Sequence, residues 1–418
     1  MPEGTTERWP RVALAEVIES IRGGVSVLCD DGVCDETNPG VLTLSAVTSG
    51  EFRPEACKRA LTAEIGRLSV PVRAGTILIT RKNTPELVGR VALVRKDYPH
   101  LHLPDLIWEI CPKAGVDARW LYAFLSSPSF RAIVEQGAAG SSQSMVGISR
   151  DVVLTARAQL PSLDEQQRIS AVLDMWDDAI SSADRLIIAR SLLLAGHAKE
   201  VFFPAFSGQP PQGWTTFRLG ALFDERDERG GSGRLLSVTG DRGIIDRDDL
   251  GRKDTSNNDK STYKRVGVGD IAYNTMRMWQ GVSALSTLDG LVSPAYTVVA
   301  PRANIDGVYA AFLFKQQHMI DRFWRYSQGL VDDTLNLKYP HFSEVIVNIP
   351  TLAQQRRDVN ALALFSKATS AAVELAALLR RQKRGLMQKL LTGEWCVPVT
   401  GDALAPGGPA ADRLEAAE

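Results

Sequence analysis

What this sequence lacks narrows its meaning before anything it contains. Its 418 residues hold five cysteines, an odd count that makes no complete disulfide framework. Cys29 and Cys34 lie near each other, but no CxxC pair or nearby histidine completes a zinc-ligand set, so no metal site is expected. No apolar run reaches the roughly 18 residues that a membrane-spanning helix needs. The opening MPEGTTERWP lacks the basic-then-apolar profile of a secretory signal. The expectation is a cytoplasmic chain, associated with the nucleoid and not with a membrane.

An excess of charge of one sign is also missing. The formal net charge of −1 supplies no global attraction to nucleic acid, so any DNA binding must come from local patches or from a basic partner. Catalytic signatures are absent too. There is no GxxxxGK[ST], no GxGxxG after a strand and no HExxH, and GISRD at 147–151 lacks the second glycine of a nucleophile elbow. NPG at Asn38 is a turn, not the NPPF- or DPPY-like tetrapeptide of an adenine methyltransferase, and His100 and His102 alternate as strand residues do. These absences favour a non-catalytic binder without cofactors of its own.

What is present is a repeat. LPSLDEQQRI at 160–169 returns as IPTLAQQRRD at 349–358, placing Gln166 on Gln355 and Arg168 on Arg357, a displacement of 189 positions (161 to 350). RWPRVALAEVI from Arg8 matches GWTTFRLGALF from Gly213, and RAGTILITR from Arg73 matches GVGDIAYNT from Gly267. WLYAFL at 120–125 resembles VYAAFL at 308–313. The displacement is 205 at the tryptophans (9 to 214) and 194 at the glycines (75 to 269), so the first copy is about 16 residues longer.

Each copy is expected to be a mixed α/β or α+β domain followed by a long helix. TILIT, RVALV, LIWEI, DIAYN, AYTVVA and EVIVNI read as strands, with helical stretches near Ala118–Gln136 and Ile305–Tyr326. After Pro161 the apolar positions Ile169, Leu173, Trp176, Ile180, Ala183, Ile187 and Leu194 recur at helical spacing. After Pro350 the same spacing selects Phe365, Ala368, Ala372, Leu375, Leu379, Leu386 and Leu390. Ile169 to Val201 alone would be roughly 50 Å of helix at 1.5 Å per residue, and each stripe wants a partner. An antiparallel, coiled-coil-like pair is the expectation. The division is residues 1–160 and 207–349 as pseudo-symmetric domains, 161–206 and 350–395 as helices, and 396–418 as a disordered tail. The chain imitates a dimer, and paired reading heads suit a target in two parts.

Local chemistry points the same way. From Arg67 to Lys96 there are seven basic residues against one acid, a patch that could hold phosphates or simply be a solvated strand edge. Arg81, Lys82, Asn83 and Thr84 follow one strand, with Arg90 beyond them, and Asn274, Thr275, Arg277 and Gln280 follow its counterpart. Arg, Asn and Gln are the residue types whose paired hydrogen-bonding groups discriminate base edges. Tyr273 and Trp279 could stack on bases or fill a core, the core being the expected place of Trp279. Ser142 and Gln143, in the loop GSSQSMVG, could donate to phosphates or turn the chain. Arg380, Arg381, Lys383, Arg384 and Lys389 put cations on the last helix, suited to its C-terminus or to an acidic partner.

These features together resemble the specificity subunits of type I restriction-modification systems. The resemblance is carried by P-x-L-x-x-Q-x-R at Pro161, P-x-L-x-Q-Q-R-R at Pro350, the closing QKRGLMQKLLTGEW from Gln382, and GDIAYNTMRMWQG followed by LVSPAYTVV. It covers nearly the whole chain except the tail. It implies two target recognition domains reading a bipartite asymmetric sequence in double-stranded DNA, with no catalysis in this chain. It also implies docking of two methyltransferase subunits and of restriction subunits, the partners using S-adenosylmethionine, ATP and Mg. Gln166, Arg168, Trp176, Gln355, Arg357, Arg381 and Lys383 are then the expected partner-binding positions on the helices. The chain departs from the family pattern where Ala353 and Gln354 replace the acids Asp164 and Glu165, and where the end of the first helix is reduced to HAKEVFF. The other reading is an interaction or antiviral-defence scaffold whose duplicated domains bind protein or RNA.

Overall fold

The computed structural model describes residues 8–142, 145–240, 243–250, 260–330 and 334–398. The chain divides into two compact units, the first built from residues up to Ser182 together with those from Leu375 onward, the second from Ala183–Glu374.

At the centre of the first unit is an antiparallel sheet of β1 (Ile18–Gly23), β2 (Ile77–Thr80), β3 (Val91–Leu93) and β4 (Ile107–Pro112), in the order β1-β4-β2-β3. Along β2, Ile77 and Ile79 join one buried cluster while Leu78 joins another. With both faces covered, the strand reads as a continuous apolar run and not as an alternation. The second unit repeats the plan with β5 (Phe223–Glu225), β6 (Ile271–Asn274), β7 (Ser283–Leu285) and β8 (Tyr296–Pro301), in the order β5-β8-β6-β7. Ile271 and Tyr273 face one cluster and Ala272 the other. The units differ in what flanks the sheet. The first adds five strands between Cys29 and His102 as a second sheet, and the second has the hairpin Leu236–Thr239 with Gly243–Asp246.

Each expected mid-domain helix is in fact two. Ala118–Leu125 gives way to Pro128–Gly137, with Ser127 Oγ accepting from the Phe130 amide at 3.2 Å and Pro128 starting the new helix. Gly307–Leu313 and Gln317–Tyr326 repeat this arrangement. Asp117 and Asp306 cap the first helix of each pair, so Trp120 occupies the place of Tyr309. The alignment of Trp120 on Val308 is therefore corrected by one residue, and Val308 is exposed.

The two long helices are Leu163–Phe202 and Leu352–Leu391, each of 40 residues, about 60 Å at 1.5 Å per residue. In the first unit Ile169 and Leu173 share a cluster with Met387, Leu390 and Leu391, and Lys383 pairs with Asp177. In the second unit Arg190 donates to the Ala368 carbonyl at 2.6 Å, and His197 meets Phe365 at 5.7 Å between ring centroids. Within each unit the partner number falls as the other rises, so the helices run antiparallel. The first stripe is as expected, with Ile169, Leu173 and Ala183 buried. The second is met in part: Ala372 and Leu390 are buried as expected, but Phe365 and Leu375 are exposed, and Val359, Leu362, Ala376 and Met387 are buried instead.

Part of the second long helix also corrects the expectation about apolar length. An 18-residue window within Leu352–Leu391 has mean hydropathy 1.5, long and apolar enough by composition alone to cross a membrane, and only 17% of it is buried. The window scores this high because alanine and leucine dominate between widely spaced charges. Past the helix, Gly393 takes a left-handed φ of 72°, and a Cβ there would stand 3.1 Å from the ring of Trp9. The closing glycine thus ends the helix and admits the tryptophan.

Candidate nucleic-acid interface

Arg81 and Thr275 occupy the same place in the two units. The Arg81 amide donates to Leu106 O at 2.8 Å and its carbonyl accepts from the Ile148 amide at 3.0 Å. The Thr275 amide donates to Ala295 O at 3.2 Å and its carbonyl accepts from the Leu337 amide at 2.8 Å. One backbone frame therefore presents two different side chains at the end of equivalent strands.

In the first unit this place is basic. Lys82 is exposed and pairs through its backbone with Gly147, while Asn83 pairs with Val146. The segment GSSQSMVG is thus not a simple polar loop: Ala139–Ser142 and Met145–Gly147 are strands of a small three-stranded sheet with Lys82–Asn83. Ser142 lies in that hairpin, and Gln143 lies outside the described residues. Asn83 is only 7% exposed, with its Oδ1 accepting from the Thr84 amide at 2.8 Å, so it holds the turn and cannot present its amide to a base. Thr84 is half-buried. Arg90 is exposed and lines a separate cavity of about 810 Å³ with Arg131 and Arg384.

Two residues outside the expected set belong to this region. Arg81 Cζ lies 5.5 Å from the Trp108 ring centroid, and Arg150 Cζ lies 5.8 Å from the same centroid. Both border a cleft of about 410 Å³ with Ile148, Ser149 and Asp151. Trp108 sits inside LIWEI, where sequence pattern makes it a core residue, and Arg150 sits in GISRD, where nothing local marks it.

In the second unit the exposed members are Arg277 and Gln280, whose side chains bond each other at 3.3 Å. Asn274 Oδ1 accepts from the Met276 amide at 3.0 Å and Thr275 Oγ1 donates to Ala295 O at 2.9 Å, so both brace the turn. Tyr273 is fully buried and stacks on Phe342 at 5.3 Å, and burial pushes its phenol pKa up. It is a core residue and cannot stack on a base. Trp279, expected in the core, is half-buried with its indole donating to Met276 O at 2.9 Å, and Met278 fills the core instead.

The positions on the long helices divide in the same way. Gln166 and Gln355 are buried, at 2% and 0% exposure, so neither is a free docking contact. Gln166 accepts from the Asp117 amide at 2.8 Å and donates to Pro161 O at 2.9 Å. Gln355 accepts from the Asp306 amide at 2.8 Å and donates to Pro350 O at 2.8 Å. Arg168 pairs with Asp164 on its own helix, and Lys383 is taken up by Asp177. Trp176 is half-buried, Arg357 bonds Gln354 at 2.6 Å, and Arg381 is exposed. The replaced acid has a visible consequence. Glu165 binds Trp9 Nε1 at 3.0 Å and Arg8 at 2.5 Å, whereas Gln354 turns to Asp358 at 2.6 Å and borders a cleft of about 310 Å³ beside Trp214. Among the described residues no group of three or more His, Cys, Asp or Glu could hold a metal ion.

The fold is similar to that of solved structures. The S subunit of the type I restriction-modification system from M. genitalium is 12% identical, with 94% of this chain and 98% of that chain covered and a TM-score of 0.57. A chain from a structure of complex assembly and conformational transition in the type I R-M system is 18% identical, with 93% and 98% covered and a TM-score of 0.54. The HsdS subunit from Thermoanaerobacter tengcongensis is 17% identical, with 94% and 99% covered and a TM-score of 0.44. No family model matches the sequence, and no curated protein matches it. The chain has the S-subunit fold.

Proposed function

We propose that this chain is the specificity subunit of a type I restriction-modification complex, a non-catalytic reader of a bipartite, asymmetric site in duplex DNA. One observation carries the reading: a single frame is built twice and displays different chemistry. Strand order, helix pair and glutamine contact recur in both units. The side chains at the end of equivalent strands do not, being Arg81 and Lys82 in one unit and Thr275 with Arg277 in the other. Two unlike readers on one frame suit two unlike half-sites.

Partner docking is the second part of the proposal. The long helices leave apolar side chains uncovered, among them Ile188, Leu192 and Leu193 at 61 to 68% exposure and Leu364 at 70%. Such a surface is unusual on a chain that works alone, and it suits two methyltransferase subunits. Those would transfer methyl groups to adenine from S-adenosylmethionine, and restriction subunits would use ATP and Mg. Of the charged positions expected to dock partners, Arg381 and Arg357 are exposed on these helices.

Genome-wide adenine methylation in the host, with and without this gene, tests the reading. Loss of methylation at one bipartite motif is the expected result and reads out both half-sites. An unchanged methylome with the methyltransferase partner expressed overturns it.

A further inference from the structure

Two cations share one indole and one cleft, and neither has an acidic partner among the described residues. Arg81 and Arg150 both lie within 6 Å of the Trp108 centroid, at 5.5 and 5.8 Å. Each guanidinium is drawn to the face of the same ring by a cation–π contact. Neither arginine has an ion pair among the described residues, and Asp151, which borders the same cleft, pairs with neither. Other arginines of this unit do have acidic partners, as Arg59 has Asp30 and Arg119 has Asp117. Exposed Lys82 adds a third unpaired cation on the adjoining strand, backed by Gly147.

We infer that the Arg81–Trp108–Arg150 cleft holds a phosphate of the DNA backbone and fixes the register of the first unit on its half-site. The inference rests on the DNA-reading function proposed above and assigns the chemistry of one contact within it. Phosphate is favoured over a base edge by geometry. Arg81, half-buried, and Arg150, exposed, are both drawn in along the buried Trp108 indole, whereas a base-reading side chain must project into a groove about 8.5 Å deep. The indole orients both forks; Arg81 Nη1 also donates to Asp105 O at 3.5 Å, and the remaining N–H groups suit the contacts that phosphate oxygens accept. At the equivalent positions the second unit has Thr275, Thr297 and Tyr339, which carry no charge. The anchor therefore belongs to one half-site alone.

The test is equilibrium binding by the full chain, co-expressed with its methyltransferase partner, to the duplex found by methylation mapping and to a scrambled duplex, over about 50 to 200 mM salt. Substituting Arg81→Gln and Arg150→Gln together is expected to make the slope of log K against log salt shallower by about 0.9, the value for one phosphate no longer neutralised. Both duplexes should weaken alike while the methylated motif stays the same. Arg150→Gln alone changes an exposed residue and should remove about half of that slope, and Arg81→Lys with Arg150→Lys should restore most of it. An unchanged slope in the folded Arg150→Gln protein overturns the inference, as does weakening confined to one base identity. A wild-type complex that retains neither duplex removes the DNA-reading function itself, a result distinct from an unaltered slope.

Discussion

Gln166 Oε1 accepts the backbone N–H of Asp117 at 2.8 Å while Asp117 Oδ1 accepts from the amides of Arg119 and Trp120 at 2.9 and 3.0 Å. The start of the long helix is thereby fastened to the start of the mid-domain helix through one short chain of hydrogen bonds. Gln355 and Asp306 repeat it. Both glutamines also return an N–H to the proline carbonyl that precedes their helix. The recurrence of P-x-L-x-x-Q is explained by this joint, which sets the angle at which the helix leaves its domain.

Removing the joint should be costly, because it strands a buried backbone amide and a proline carbonyl. Gln355→Leu and Gln166→Leu are each expected to destabilise by about 2–3 kcal/mol, from buried polar groups left without partners. Denaturant unfolding monitored by circular dichroism measures it. A change below about 0.5 kcal/mol, the range of ordinary surface substitutions, would mean that the glutamines do not hold the joint.

How far the sequence was legible follows from which forces are local. The long helices and five of the eight central-sheet strands stand out because period and composition are properties of neighbouring residues, while Ile18–Gly23, Phe223–Glu225 and Ser283–Leu285 do not. The joint does not, since a glutamine reads as surface until its distant amide partner is known, and the resemblance makes Gln166 and Gln355 docking contacts. Tyr273 was misassigned for a similar reason: polar at one end, it fills the layer that Ile79 fills in the other unit. The hairpin Ala139–Gly147 was read as a loop because its pairing partner is Lys82–Asn83, more than 50 residues away in sequence. Trp108 with Arg81 and Arg150 was invisible on the same grounds.

Asp117 gives the first unit a defined response to acid. Burial of its carboxyl raises its pKa, but the Arg119 guanidinium, the Trp120 amide and the Ser170 hydroxyl outweigh burial and hold it below the ordinary carboxylate value. A depressed carboxylate stabilises the fold above the unfolded value of about 3.9, and that contribution fades as pH falls through the folded value. Asp117→Asn keeps a capping oxygen and removes the charge. The stability gap between wild type and Asp117→Asn should therefore be constant near neutrality and close below about pH 4. A gap unchanged down to about pH 2.5 would show that the charge of Asp117 contributes nothing.

Arg381 and Lys383 sit two positions apart and should behave differently. Lys383 is occupied by Asp177, with side-chain exposures of 20% and 40%, so Lys383→Ala should cost under about 1 kcal/mol of stability. It should leave partner copurification intact. Arg381 is exposed, and Arg381→Glu should weaken copurification with the methyltransferase without altering the unfolding midpoint. Equal loss of partner in both variants would contradict this division.

Arg277 provides the sharpest test of half-site reading. It is exposed, its side chain donates to Gln280 Oε1 at 3.3 Å, and its loop is braced independently by Asn274 and Thr275. Truncating it should therefore leave the fold unchanged. A guanidinium fork contributes about 1–3 kcal/mol of discrimination where it reads a base. Arg277→Ala is thus expected to relax one or two adjacent positions in a single half of the methylated motif, the other half remaining strict. Methylation mapping of the variant in the host measures this directly. Relaxation of both halves would mean that Arg277 acts through overall affinity, and a motif unchanged at every position would place base reading in the second unit on other residues.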